Sequence, residues 1–235
     1  MGRAFEKRKT QKMARWSQIS KAFTRIGKEI AMSVKQGGPD PNSNPRLRMA
    51  IQNAKAVSMP KEKVENAIKR ASNKEEKDFD EVVYEGYGPF GVAIVVECAT
   101  DNPTRTVANV RSYFKKHEGE LGKTGSLDFL FERQGVFTLN KGNLDPEELE
   151  LELIDFGAQE VEVEDEEIYI YTAFSDFGAM QKALEDKGLE LVKAELQRFP
   201  TTTVTVTEEQ EEQINKLLEK LEEDDDVQQV FHNMA

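Results

Sequence analysis

Arg3, Lys7, Arg8, Lys9, Lys12, Arg15, Lys21, Arg25 and Lys28 crowd residues 3–28, a stretch whose only acid is Glu6. Cations at this density can neutralise phosphates and release the counterions condensed on DNA or RNA. These residues are therefore the first candidates for a nucleic-acid-binding surface. Arg46 and Arg48 extend the set. They stand in PNSNPRLR, where a predicted helix begins, and a helix N-terminus beside arginines can hold an anion. The same stretch also reads as a plain turn and cap. Phe5 and Trp16 could stack on an unpaired base. Trp16 stands just before Ser17, a candidate helix cap, and that position favours a hydrophobic staple.

Other motifs carry less chemistry. GYGPFG (86–91) and GELGKTGS (119–126) are glycine-rich. The second lacks the upstream glycine of a phosphate loop and precedes a predicted strand. It reads better as a flexible loop presenting Lys123 to a partner. TDNPTRT (100–106), with Arg105 and Arg111 beyond it, reads as a helix-entry turn. The acidic run EEDDD (222–226) reads as a solvated turn, because adjacent loop acids do not define a coordination shell. His117 and His232 form no triad spacing with a nucleophile. Cys98, the single cysteine, sits in an apolar run and reads as a buried small hydrophobe. We therefore expect no enzyme, no cofactor and no metal.

The whole chain of 235 residues has a net charge of −12, which by itself argues against a polyanion partner. The average conceals a division. Residues 1–72 hold 17 Lys and Arg against 5 Asp and Glu, a net of +12, and residues 73–235 hold 15 against 39, a net of −24. Such a split orients a polyanion onto one end and leaves the acidic remainder open to protein partners. No run of about 18 apolar residues is present, so no membrane span is expected. The expected location is the cytoplasm, and a monomer is favoured.

The elements that position the basic residues follow from periodicity. Residues 1–16 read as a basic arm, mobile when free. Ile19, Phe23, Ile26, Ile30 and Val34 predict a helix over 17–36, and GGPDPNSNP (37–45) must end it. Further helices are predicted at about 46–57 and 59–71, giving a small three-helix bundle. NKEEKDFD (73–80) is a polar linker. Beyond it, GVFTLN (135–140), a helix, two strands, a helix and a strand give β-α-β-β-α-β, the ferredoxin-like order. A second copy of that order combines GVAIVVECAT, helix 103–117 and strand 125–133 with TTTVTVT (201–207), helix 208–222 and VQQVFHN. The expected fold is α+β with three domains: 1–78, a basic helical domain with its N-terminal arm; 79–134 plus 201–235, an α+β domain; and 135–200, a second α+β domain inserted into it.

Four long segments, GGPDPNSNPRLRMAIQNAKAVSMPKEKVENAIKRA, EVVYEGYGPFGVAIVVECATDNPTRTVANVR, GELGKTGSLDFLFERQGVF and LEEDDDVQQVFHNM, closely resemble the YebC/PmpR family, in that family's order and over essentially the whole chain. The resemblance implies an N-terminal helical domain and two α+β domains. It implies an intracellular protein of the kind labelled a probable transcriptional regulatory protein, binding DNA. Relatives that include a mitochondrial translational activator imply a second target, ribosomal RNA on the ribosome. Many members open on a GHSKW-like segment, whereas this chain has MGRAFEKRKTQKMARW. The basic character is kept, the histidine is absent, and the tryptophan comes later.

Overall fold

The computed structural model describes residues 3–73 and 78–235, with the side chains of residues 3–18 outside that description. Its helices are α1 (Arg3–Gly37), α2 (Pro45–Ala56), α3 (Lys61–Ala71), α4 (Pro103–Lys116), α5 (Pro146–Leu153), α6 (Phe177–Asp186) and α7 (Glu208–Glu222). Its strands are β1 (Asp80–Tyr87), β2 (Ala93–Thr100), β3 (Glu120–Leu121), β4 (Phe131–Asn140), β5 (Ala158–Glu164), β6 (Glu167–Ala173), β7 (Leu191–Pro200) and β8 (Val227–His232). They make two four-stranded sheets, ordered β3-β1-β2-β8 and β5-β6-β4-β7. The fold is α+β, as the sequence predicts. Packing groups the chain into two compact units, each gathered from three segments: 1–83, 96–113 and 217–230 in the first, and 84–95, 114–216 and 231–235 in the second.

In the first unit, α1 to α3 bury one face each around Ile26, Ile30, Val34, Leu47, Ala50, Ala54, Val64, Ala67 and Ala71. The turn between α1 and α2 is held by Asn44, which is 3% exposed. Its Oδ1 accepts from Leu47 N at 3.0 Å, and its Nδ2 donates to Ser33 O at 2.7 Å and Gly38 O at 2.8 Å. One side chain therefore caps α2 and ties it to the end of α1.

In the second unit, β4-α5-β5-β6-α6-β7 is the β-α-β-β-α-β order, with β4 and β6 central and every pair antiparallel. The β6 pattern explains its orientation. Ile168, Ile170 and Thr172 are buried under the helices, while Tyr169 and Tyr171 alternate onto the other face. Gly135 sits where Phe177 crosses β4, and a Cβ there would lie 2.5 Å from the Phe177 ring.

Three elements differ from expectation. The segment read as an arm belongs to α1, which runs unbroken from Arg3. No glycine or proline interrupts residues 3–26, which are rich in Lys, Arg and Ala, all good helix formers. Ser17 consequently lies inside the helix, not at its start. SLDFLFERQ and GVFTLN, expected as two strands, join into the single strand β4 after a turn of 3-10 helix at Asp128–Leu130. TTTVTVT makes no strand; it contributes only the bridge Val204 to Met234. The first sheet fills that place with β1 and the two-residue β3.

Candidate nucleic-acid interface

The backbone of α1 puts Arg3, Lys7, Arg8, Lys9, Lys12 and Arg15 on one continuous helix. Their side chains, and those of Phe5 and Trp16, lie outside the described residues. Lys21 is half-buried on the same helix.

Further along α1 the cations turn inward. Arg25 Nε donates to Val227 O at 3.1 Å and its second nitrogen to Glu222 O at 3.0 Å. Lys28 Nζ donates to Ala99 O at 2.8 Å, to Asp225 O at 2.7 Å and to Asp226 Oδ1 at 2.8 Å. All three donors of the Lys28 ammonium are thereby used. These two residues fasten α1 to the loop before β8. Arg46 pairs with Glu81 and donates to Gln36 Oε1 at 2.6 Å. Arg48 donates to Pro41 O at 2.9 Å and Asn42 O at 3.2 Å. Both brace the α1–α2 turn, where the Leu47 amide is already taken by Asn44.

The acidic run is more than a solvated turn. Asp226 is 6% exposed. Its Oδ2 lies 2.6 Å from an Arg105 nitrogen, 2.9 Å from the Thr106 hydroxyl and 3.1 Å from the Thr100 hydroxyl. Burial pushes the Asp226 pKa up, but hydrogen bonds from Lys28, Arg105 and Thr106 outweigh it and hold the carboxyl well below the usual carboxylate range. Asp224 accepts from Tyr113 Oη at 2.9 Å and Asn109 Nδ2 at 3.2 Å. Burial and that bond push the Tyr113 phenol up to about 12. Cys98 is buried, as expected, and burial followed by the charges of Asp224 and Asp226 pushes its thiol up to about 12. Sequence reasoning missed this network. Its one signal was the TDNPTRT turn, where Asn102 Oδ1 does cap α4 by accepting from Arg105 N at 3.1 Å.

In the second unit, the 119–126 loop is pinned, contrary to the flexible reading. Buried Glu85 accepts from Gly122 N through its carbonyl at 2.7 Å. Its carboxylate accepts from Gly125 N at 2.8 Å and Leu127 N at 2.6 Å. Gly125 has φ +83, a left-handed conformation natural to glycine. Exposed aromatics belong to the same unit: Tyr87 at 42%, Phe90 at 44% with φ 63, and Phe129 at 72%. Lys123 is exposed at the loop tip. Replacing Glu85 with alanine should leave two amides without their acceptor, lowering stability by about 2 kcal/mol. Hydrogen exchange at Gly125 and Leu127 should accelerate together; unchanged exchange would show that Glu85 does not hold the loop.

The second sheet is a poor nucleic-acid platform. Four-stranded sheets of this order can stack bases on aromatics of their central strands. Here Tyr169 Oη donates to Glu167 at 2.6 Å and Tyr171 Oη to Glu162 at 3.0 Å. The Glu167 bond and burial push Tyr169 up to about 12, and burial and the Glu162 bond do the same for Tyr171. Carboxylates beside the rings repel phosphate.

Among the described residues, no group of three or more His, Cys, Asp and Glu is placed to hold a metal ion. No described helix is long and apolar enough to cross a membrane.

A basic helical region followed by two sheet-containing α+β regions defines the class. The chain belongs to the TACO1/YebC family: the model of the family's N-terminal domain matches residues 3–74, and that of its second and third domain matches residues 79–234. A "Probable transcriptional regulatory protein" of Cytophaga hutchinsonii is 62% identical over 100% of this chain and 99% of its own. A Porphyromonas gingivalis protein of the same description is 57% identical over 100% of this chain and 97% of its own. The crystal structure of a conserved hypothetical protein from Aquifex aeolicus superposes with a TM-score of 0.80 at 41% identity, covering 93% of this chain and 90% of that one.

Proposed function

We propose that this chain is a nucleic-acid-binding regulatory protein that grips DNA phosphates through α1. The observation that carries the reading is the unbroken helix of α1, which bears seven Lys and Arg and one acid over residues 3–21. A helix about 10–12 Å across fits the major groove, which is about 12 Å wide. Arg25 and Lys28 act as fasteners, so the reading rests on Arg3, Lys7, Arg8, Lys9, Lys12, Arg15 and Lys21. Residues 1–78 supply the basic surface, and the α+β domains, 79–134 with 201–235 and 135–200, are acidic, repel the polyanion and offer protein contacts. The reading assigns the chain no catalytic chemistry and places it in the cytoplasm as a monomer. The names of the relatives support regulation of transcription.

A second reading is binding to ribosomal RNA as a translation factor. The exposed aromatics Tyr87, Phe90 and Phe129 favour it, because unstacked RNA bases are recognised by aromatic stacking.

A salt series separates both from a chain that binds no nucleic acid. With about five phosphates engaged, log affinity should fall against log salt with a slope near −4.5 on duplex DNA. Mobility shift on a DNA duplex and co-sedimentation with ribosomes are run side by side. Preference for the duplex supports the first reading and preference for ribosomes the second, while affinity independent of salt in both would sink the two together.

A further inference from the structure

The second unit carries an exposed surface that the nucleic-acid readings leave unused. Residues 145–167 contain twelve Asp and Glu and no Lys or Arg. Within this stretch, α5 turns Leu149 and Leu153 into the core, while Leu151 is 72% and Ile154 53% exposed. Phe156 and Val163 are also exposed, at 40% and 41%. Leu151 lies in α5 and Ile154, three residues on, opens the turn of 3-10 helix (Ile154–Phe156) that continues it, so the two fall on one side. Glu147, Glu148 and Asp155 stand three or four residues from Leu151 and share that side, and all three are exposed. Val163 lies on β5, the edge strand of its sheet.

Large apolar side chains held in water inside a polar rim mark interaction surfaces. The rim here has one sign of charge, and that selects the partner. Polyanions and anionic membranes are repelled. A segment that places two or three apolar residues at helical spacing among lysines and arginines is matched in both respects. We propose that the face of α5 and its 3-10 continuation, anchored by Leu151 and Ile154 and rimmed by Glu147, Glu148 and Asp155, docks a basic amphipathic helix of another protein.

The test uses the full chain and a fluorescein-labelled synthetic peptide of 18 residues, with leucines at i, i+4 and i+7 and lysines and arginines elsewhere. Anisotropy titrations should show binding of this peptide and none of its Lys/Arg→Glu counterpart. The double variant Leu151→Ser, Ile154→Ser should weaken binding about tenfold, in keeping with the loss of two anchor residues. Glu148→Gln with Asp155→Asn should weaken it about fivefold at low salt and less at high salt. All four positions are exposed, and circular dichroism melts check that the variants remain folded. Failure of the peptide to bind, or equal affinity in the Leu151→Ser, Ile154→Ser variant, overturns the proposal. So does sedimentation showing that the chain self-associates through this face and that the serine variant abolishes it, since the occupant is then a second copy.

Discussion

Replacing Asp226 with asparagine should lower the unfolding free energy by about 3–5 kcal/mol at pH 7, the usual cost of removing one partner from a buried charge pair. The loss comes chiefly from Lys28, whose side chain is 11% exposed, and from the two threonine hydroxyls. Arg105 is 48% exposed and loses little, because water screens it. The pH dependence identifies the cause. The folded-state pKa of Asp226 is depressed, so its contribution is present above the unfolded value of about 3.9. It is lost as pH falls through the lower folded value. Urea denaturation of wild type and Asp226→Asn should therefore differ most at pH 5–7 and converge as pH falls below about 4. A gap that stays constant down to pH 2.5 would mean that ionisation of Asp226 is not what stabilises the fold.

The second large effect concerns binding. Reversing Lys7, Arg8, Lys9 and Lys12 to glutamate removes four cations and adds four anions on successive turns of α1. Affinity for duplex DNA should fall by roughly a thousandfold or more at 0.1 M salt. The salt slope should flatten from about −4.5 to about −1, since each lost phosphate contact removes about 0.9. Lys28→Met makes the informative contrast. It should destabilise the fold through loss of the Asp226 pair and leave the slope of the folded protein nearly unchanged. Equal slopes in wild type and the fourfold reversal would move the binding surface off residues 7–12.

The architecture was largely legible because it rests on short-range patterns. Ile26, Ile30 and Val34 recur at helical spacing, Ile168 and Ile170 alternate with tyrosines, and PNSNP can only be a turn. The charge of residues 3–16 suggests an arm, yet the same residues have strong helix propensity and no breaker, and they are helical. TTTVTVT alternates as a strand should, yet pairing is decided by which neighbours compete, and β1 takes the place. The candidate site was half legible. Charge density marks α1, but a basic residue that binds phosphate and one that ties down a loop look alike in sequence. Lys28 looks like the other cations of α1 in sequence, and only the distant placement of Asp226 and the carbonyls of Ala99 and Asp225 marks it as a fastener. Glu85 was invisible for the same reason: its partners, Gly125 and Leu127, lie some forty residues away.

Those distances also bear on how the chain is made. The Lys28–Asp226 contact spans 198 residues of chain, and Arg25 to Val227 spans 202. At synthesis rates of about 5–20 residues per second, roughly 10–40 s pass between the appearance of Lys28 and that of its carboxylate. Through that interval α1 can fold locally and pack on α2 and α3, while its two fastening cations lack their partners at 222–227. Closing so long a loop is a slow, late event compared with forming a helix. A chain interrupted before Asp226 would keep the basic helix and lack its anchorage, so the step that completes the first unit is also one that distinguishes a finished molecule from a fragment.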